Sequence, residues 1–277
     1  MFSTYLDLWN LLPDGDVIET PHARLLPVRH GSEAAILKVT AEPTEKAGWG
    51  LLQWWDGEGA ARVLARDGDA ILLERATGSR SLMRMAQGNE DDEATRILCG
   101  VTKRLHEPKP VPLPDLVPLD RWFEALEPAS EKYGGFFRTS WIITKDLLAT
   151  QIEITALHGD IHHCNILDFG ERGWLAIDPK ELIGDRYFDY ANIFTNPDLS
   201  EATPPVGVRP GIFSRRLDLV VAKAGLERTR LLRWIIAWCG LSAAWFLDDN
   251  LPADIDLKVG ALALAELECS GSKIPAG

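Results

Sequence analysis

Residues 158–179 constrain this chain more than any other stretch. They hold two apolar runs, Ile166 to Phe169 and Trp174 to Ile177, joined by Gly170-Glu171-Arg172-Gly173, the pattern of a β-hairpin with a four-residue loop. A symmetric loop sets residue 169 opposite 174, 167 opposite 176 and 165 opposite 178. Asn165 and Asp178 are then cross-strand neighbours, with Cβ atoms roughly 4.5–5.5 Å apart. Two hard oxygen ligands at that spacing suit Mg2+, which takes one or two carboxylates and fills its shell with substrate phosphates. Asp160 lies five residues before Asn165, on the loop that feeds the hairpin, placed to accept a proton in the same cleft.

Around this hairpin the chain changes texture once. Arg24 to Val28 and Ala34 to Val39 read as strands turning at His30-Gly31-Ser32; a helix is expected over Glu45 to Trp55, and strands over Ala61 to Ala65 and Ala70 to Glu74. After Ala76-Thr77-Gly78 the pattern becomes helical, beginning with Asp91 to His106, which carries acids in its first turn and Lys103 and Arg104 in its last. Prolines from Pro108 to Pro118 mark an extended connector, and further helices are expected over Leu119 to Glu127, Ser140 to Gln151, Ser214 to Ala224, Thr229 to Leu247 and Leu257 to Leu267. The expected fold class is α+β in two lobes, a small β-rich N-lobe over residues 1–76 and a larger helical C-lobe over 77–277, with a disordered tail from Ser270 to Gly277.

The longest apolar run, Trp234 to Leu247, is shorter than the ~18 residues of a membrane span. Trp234, Trp238, Leu241 and Trp245 recur in it at helical spacing, so it reads as a buried amphipathic helix and no membrane partner is expected. With 29 basic against 41 acidic residues the net charge is −12, which argues against nucleic acid as a partner. Cys99, Cys164, Cys239 and Cys269 lie far apart, and the first residues carry no basic-then-apolar leader, so reduced thiols and a cytoplasmic location are expected. Asp91-Asp92-Glu93 and Asp248-Asp249 read as solvated acids. Oligomeric state is not legible.

His158-Gly159-Asp160, then Asn165, then Ile177-Asp178-Pro179 together resemble the paired catalytic motifs of the aminoglycoside phosphotransferase family, which has a protein-kinase-like fold. Leu72 to Ala76, Trp174 to Lys180, Asp189-x-x-Asn192-x-x-x-Asn196-Pro197 and Leu241 to Trp245 extend the resemblance over roughly residues 20 to 250, closest to the streptomycin 6-phosphotransferase and hydroxyurea-resistance branch. The resemblance implies that Asp160 is the catalytic base and that Asn165 and Asp178 hold Mg2+ against ATP. It also implies that Lys38 meets the α- and β-phosphates with Glu45 as its ion-pair partner, and that Glu74 to Ala76 form the hinge at the adenine. The implied acceptor is a small cationic molecule bearing a hydroxyl, streptomycin at its 6-hydroxyl being the best match, and an acidic surface suits such a ligand.

Asp168-Phe169-Gly170 spells the metal motif of protein kinases but starts only three residues after Asn165, so it reads as strand end and turn. No G-x-G-x-x-G separates the first strands, and Glu19 to Val28 contains no glycine, so another loop covers the phosphates and GTP stays open beside ATP. Asp189 reads as the cap of a helix starting at Tyr190. Three other readings remain: a kinase for a sugar, amino sugar or other metabolite; a degenerate nucleotide-binding module; and a metallohydrolase using His158, Asp160, His162, His163 and Cys164.

Overall fold

The computed structural model describes residues 2–197 and 205–271. Six strands, β1 (Leu11–Pro13), β2 (Ile18–Glu19), β3 (Arg24–His30), β4 (Glu33–Val39), β5 (Val63–Asp67) and β6 (Ala70–Glu74), form one sheet in the order β1-β3-β4-β6-β5, with β2 also on β3. Every pairing is antiparallel. Alternation along β4 assigns its two faces. Ala35, Leu37 and Val39 pack with Leu26, Val28 and Leu72 beneath the N-terminal helix Phe2–Leu8, whose Phe2, Tyr5 and Leu6 close that cluster. Ile36 and Lys38 face the other way, toward the helix Trp49–Trp55 and the rest of the molecule.

The helix expected over Glu45 to Trp55 is two helices, Pro43–Ala47 and Trp49–Trp55, broken at Gly48. A Cβ at residue 48 would lie 1.9 Å from the backbone oxygen of Pro179, so the break is where the chain end of the hairpin meets this segment.

Beyond residue 80 the described residues are mainly helical, including Asp91–Leu105, Gly135–Ala149, Ile212–Ala224, Arg228–Asp248 and Asp254–Cys269. The helix Arg228–Asp248 is long and apolar enough by length and composition to cross a membrane, yet Trp234, Ile235, Ile236 and Leu241 are buried in the main core. It packs against Gly135–Ala149 and Asp254–Cys269 as a core helix. The β-rich N-terminal region followed by a helical C-terminal region is the architecture expected. Several boundaries moved. The helix expected over Leu119 to Glu127 is a short turn, Leu119–Trp122, followed by Leu126–Tyr133, and that expected from Ser140 begins at Gly135. In the tail expected to be disordered, the Ser270 and Gly271 amides still donate to the last helix at 3.2 and 3.0 Å, and residues 272–277 lie outside those described.

One solvated-acid expectation fails. Asp91 is buried and accepts from the fully buried Arg216 guanidinium at 2.6 Å, while Arg216 also donates to the Ile193 and Asn196 carbonyls. A buried charge needs a partner and further hydrogen bonds, and Arg216 has both. The arrangement ties two helices to the segment that carries Asn192 and Asn196.

Candidate active site

The strand Ile154–Leu157 delivers the chain to His158, and the hairpin strand Ile166–Asp168 takes it up again after Asn165. The loop between them is fixed from below. The buried Asp189 carboxylate accepts from the His158 amide at 2.9 Å, the Gly159 amide at 2.7 Å and His106 Nε2 at 2.7 Å. Asp189 therefore sits inside the helix Phe188–Ala191 and anchors this loop, where a helix cap was expected. Gly159 has φ +81°, and a Cβ there would lie 2.7 Å from Leu182 Cδ1, so only glycine fits.

His158 is fully buried, and burial pulls its pKa below the ordinary 6.5 against the attraction of Asp189 and Asp160. Its Nε2 lies 2.8 Å from the Ile177 carbonyl, which can only accept, so Nε2 carries the proton and Nδ1 accepts from the Asp160 amide at 3.2 Å. His163 is also buried, with neither ring nitrogen hydrogen-bonded among the described residues, and burial drives its pKa well below 6.5. His162 Nε2 comes within 3.8 Å of Asp160 Oδ1, but both His158 nitrogens are already hydrogen-bonded to backbone and His163 is buried. Among the described residues no three His, Cys, Asp or Glu side chains gather to hold a metal.

Asp160 itself is held from two sides. Asn192 Nδ2 donates to Oδ1 at 2.9 Å, and Asn165 Nδ2 donates to Oδ2 at 3.1 Å and to the Asp160 carbonyl at 3.0 Å. Asn192 is oriented in turn by Asn196 Nδ2 and Thr195 Oγ1, which donate to its Oδ1 at 2.7 and 3.2 Å. With its nitrogen engaged, Asn165 presents Oδ1 as its remaining polar atom.

The hairpin register differs from the symmetric expectation by one residue. Asp168 pairs with Trp174, Leu167 with Leu175 and Ile166 with Ala176, because Phe169 joins the closing turn and Gly170–Arg172 form a 3-10 turn. Ile177, rather than Asp178, comes opposite Asn165, donating to its carbonyl at 2.9 Å. Asp178 then leaves the strand in the left-handed region, with φ 55°. Its Oδ1 meets Lys38 Nζ at 2.9 Å.

Lys38 Nζ also lies 2.7 Å from Glu45 Oε2, so sheet, helix and hairpin meet at one ammonium group. Burial pulls the Lys38 pKa down, but the charges and hydrogen bonds of Asp178 and Glu45 outweigh it and hold the group above the ordinary lysine value. The glycine-free turn between β2 and β3 is closed by Thr20, whose Oγ1 donates to the Ala23 carbonyl at 2.9 Å and accepts from the Ala23 amide at 3.0 Å. Thr40, just past β4, donates to the His22 carbonyl at 2.7 Å and ties this turn to the strand carrying Lys38.

Glu74 and Ala76 divide their duties. The Glu74 amide donates to the Arg62 carbonyl at 3.0 Å, and its buried carboxylate receives the Arg62 amide at 2.7 Å and the Arg172 guanidinium. Arg172, in the hairpin turn, thereby fastens the hairpin to the end of β6; nothing in the sequence singled it out. Ala76 packs on Ala61, Phe169 and Leu175, and its amide makes no hydrogen bond among the described residues. Asp168 is buried at the strand end. Burial opposes its ionisation, but hydrogen bonds from Arg80 and the Gly170 amide prevail and hold its carboxyl below the usual range. That makes it a structural acid.

Beside Asp160 opens a cavity of about 390 Å³ walled by Trp122, Trp238, Trp245 and Phe246, with Asn192, Asn196 and Ser242. Trp245 meets Trp122 edge-on at 5.3 Å and Trp238 at 6.1 Å. Of this wall, the sequence offered Trp238 and Trp245 chiefly as core residues, with the lining of a ligand site as the alternative, and Trp122 gave no signal. For a metal bound against phosphates, the available oxygens are the Asp178 carboxylate and Asn165 Oδ1. Two hard ligands that leave the rest of the shell to a substrate fit Mg2+ and lack the nitrogen or sulfur donors of a zinc centre.

Comparison with known proteins identifies a family. The family described as aminoglycoside/hydroxyurea antibiotic resistance kinase matches residues 8–250. The streptomycin 3''-kinase of Klebsiella pneumoniae is 51% identical over 93% of this chain and 98% of its own. The streptomycin 6-kinase of Streptomyces griseus is 32% identical over 94% of this chain and 86% of its own. A solved structure of a thermostable mutant of aminoglycoside phosphotransferase APH(4)-Ia, in ternary complex with ADP and hygromycin B, superposes with a TM-score of 0.62 at 12% identity, covering 96% of each chain. The fold is thus protein-kinase-like, and the chain, a small-molecule kinase, belongs to the aminoglycoside/hydroxyurea antibiotic resistance kinase family.

Proposed function

We propose that this kinase transfers the γ-phosphoryl group of ATP to a hydroxyl of streptomycin or a close aminoglycoside, and that the acceptor is the 3''-hydroxyl. The observation that carries the proposal is the 51% identity, over nearly the whole of both chains, to a streptomycin 3''-kinase. The 6-hydroxyl expected from sequence has its support in the relatives at 32% identity. The aromatic wall beside Asp160 supports a cationic acceptor, because tryptophan faces attract guanidinium and ammonium groups.

In this reading Asp160 is the base. Its carboxylate, held by Asn165 and Asn192, takes the proton of the acceptor hydroxyl as the oxygen attacks. Lys38, oriented by Glu45, binds the α- and β-phosphates. Asn165 and Asp178 hold Mg2+, which when bound supplies positive charge against the phosphates. The Ala76 amide meets the adenine, and Glu74 braces that hinge through Arg62 and Arg172. Residues 1–76 and 77–277 are the two lobes that close on the nucleotide. That no disulfide joins the four cysteines among the described residues supports a reducing compartment such as the cytoplasm, where ATP is supplied.

Incubation with Mg·ATP and streptomycin, followed by phosphorus and proton NMR of the product, tests the proposal. A 3''-phosphate is expected, and a 6-phosphate would overturn the choice of hydroxyl. Turnover with simple sugars or amino sugars and none with aminoglycosides would favour the metabolite kinase.

A further inference from the structure

The phosphoryl group has to cross from the Lys38 side of the cleft to the Asp160 side. Among the described residues, Lys180 is the one that lines both spaces: the cavity with Asp160 and the tryptophans, and the narrower cleft with Lys38, Glu45 and Asp178. Its backbone is fixed there, since the Lys180 amide donates to the His158 carbonyl at 2.7 Å. Its approach to the loop depends on Gly159, where a Cβ would stand 3.0 Å from Lys180 Cβ.

The charge on Lys180 is less committed than that on Lys38. Lys38 is answered by two carboxylates at 2.7 and 2.9 Å. Lys180 Nζ has one among the described residues, Asp160 Oδ2, at 3.7 Å, beyond hydrogen-bond length. The Asp160 oxygens are already engaged by Asn165 and Asn192. The Lys180 ammonium therefore keeps its donors for another anion, and its side chain is 33% exposed to the cleft.

We infer that Lys180 is a catalytic residue whose ammonium binds an equatorial oxygen of the γ-phosphoryl group as it is transferred. The inference rests on the phosphotransferase reading of Asp160. In the step it serves, the acceptor oxygen forms its bond to the γ-phosphorus and its proton passes to Asp160. The bond from that phosphorus to the β,γ-bridging oxygen breaks, and its electron pair leaves with ADP. Lys180 enters and leaves the step as an ammonium. Its stabilisation is greatest when charge spreads over the equatorial oxygens, which makes it a contribution to kcat more than to ground-state binding.

The test uses the full chain with Lys180→Met and Lys180→Arg, each first checked for an unchanged melting temperature. Calorimetry then gives the affinities of Mg·ADP and of the Mg complex of the non-hydrolysable triphosphate AMP-PNP. Steady-state kinetics with streptomycin give kcat and KM. For Lys180→Met, kcat is expected to fall by roughly 10²–10³, as for removal of one preorganised donor to a developing charge, with the acceptor KM within about threefold. Its ADP affinity should stay unchanged while the preference for AMP-PNP over ADP shrinks, and Lys180→Arg should recover part of both losses. Equal loss of ADP and AMP-PNP affinity, or a kcat within about threefold of the parent, would overturn the assignment. If the parent chain phosphorylates no acceptor yet its AMP-PNP preference depends on Lys180, the acceptor reading fails and the Lys180 assignment stands.

Discussion

On the Lys38 side of the cleft, three charges from three different elements answer one another. Lys38 on β4 meets Glu45 on a helix and Asp178 past the hairpin. On the tryptophan side, Trp122, Trp238, Trp245 and Phe246 offer ring faces and edges, with Asn192, Asn196 and Ser242 between them. The first wall suits a ligand of fixed shape and charge, such as a nucleotide triphosphate with its metal. The second suits a bulky cation, whose identity is set by the spacing of the rings. Variants of the two walls should therefore fail in different ways.

The largest effect is expected from Asp178→Ala, which removes a carboxylate from both Lys38 and the proposed metal site. Loss of a residue that merely supports a ligand costs ~10–100-fold, so loss of the ligand itself should lower kcat/KM by more than about 10²-fold and weaken the dependence on Mg2+ concentration. Titration of activity against Mg2+ checks this, and an unchanged Mg2+ curve would break the assignment of that wall.

Next comes Gly48→Ala, whose new methyl would press on the backbone oxygen and carbon of Pro179 and on its ring Cγ, atoms of a rigid residue that cannot swing aside. Overpacking of this kind costs about 1–3 kcal/mol. It should displace Asp178 from Lys38 and show as a weaker Mg·ATP complex by calorimetry, with streptomycin binding less affected.

Trp245→Ala probes the opposite wall. A cation over an indole is worth about 0.5–2 kcal/mol, so the acceptor KM should rise by roughly two- to thirtyfold while the KM for ATP holds steady. A rise in both would mean that the two walls are not separable.

The smallest effect concerns the floor beneath both. His163 is buried and its pKa is depressed, so the unfolded chain takes up a proton at a pH where the folded chain does not. The stability this group contributes is present above the unfolded value near 6.5 and is lost as pH falls below it, with a slope of at most ~1.4 kcal/mol per pH unit. Melting temperatures at pH 7.5 and 5.5 should diverge less in His163→Leu than in the parent, and His158 should account for part of what remains.

The same contrast explains what was legible in the sequence. Asp160, Asn165 and Asp178 lie within one short stretch whose turn and apolar runs announce a hairpin, and Lys38 ends a strand with Glu45 just beyond it. Local chemistry singled out Asp160, Asn165 and Asp178, whereas Lys38 and Glu45 were named through the family resemblance. The register was not legible, because Phe169 belongs to the turn although its apolar side chain reads as strand. The tryptophan wall read chiefly as core for another reason. Trp122, Asn192 and Trp245 come from three separate segments, and an aromatic residue facing a cavity has the same helical spacing as one facing the core. Asp91 was misread because its partner Arg216 lies far along the chain, and burial of a charge depends on such a partner.

The most direct measurement is transfer of the γ-phosphoryl group by Asp160→Ala compared with the parent chain, alongside calorimetric binding of Mg·ADP and of streptomycin to both. Among the described residues Asp160 makes no ion pair with Lys38 and no hydrogen bond to a tryptophan of the cavity. The variant should keep its fold and bind both ligands within a few-fold of the parent, while phosphoryl transfer to streptomycin falls by roughly 10²–10⁴, the range of a general base. Transfer at the parent rate in Asp160→Ala would contradict the role given to this carboxylate and the placement of the acceptor hydroxyl beside it.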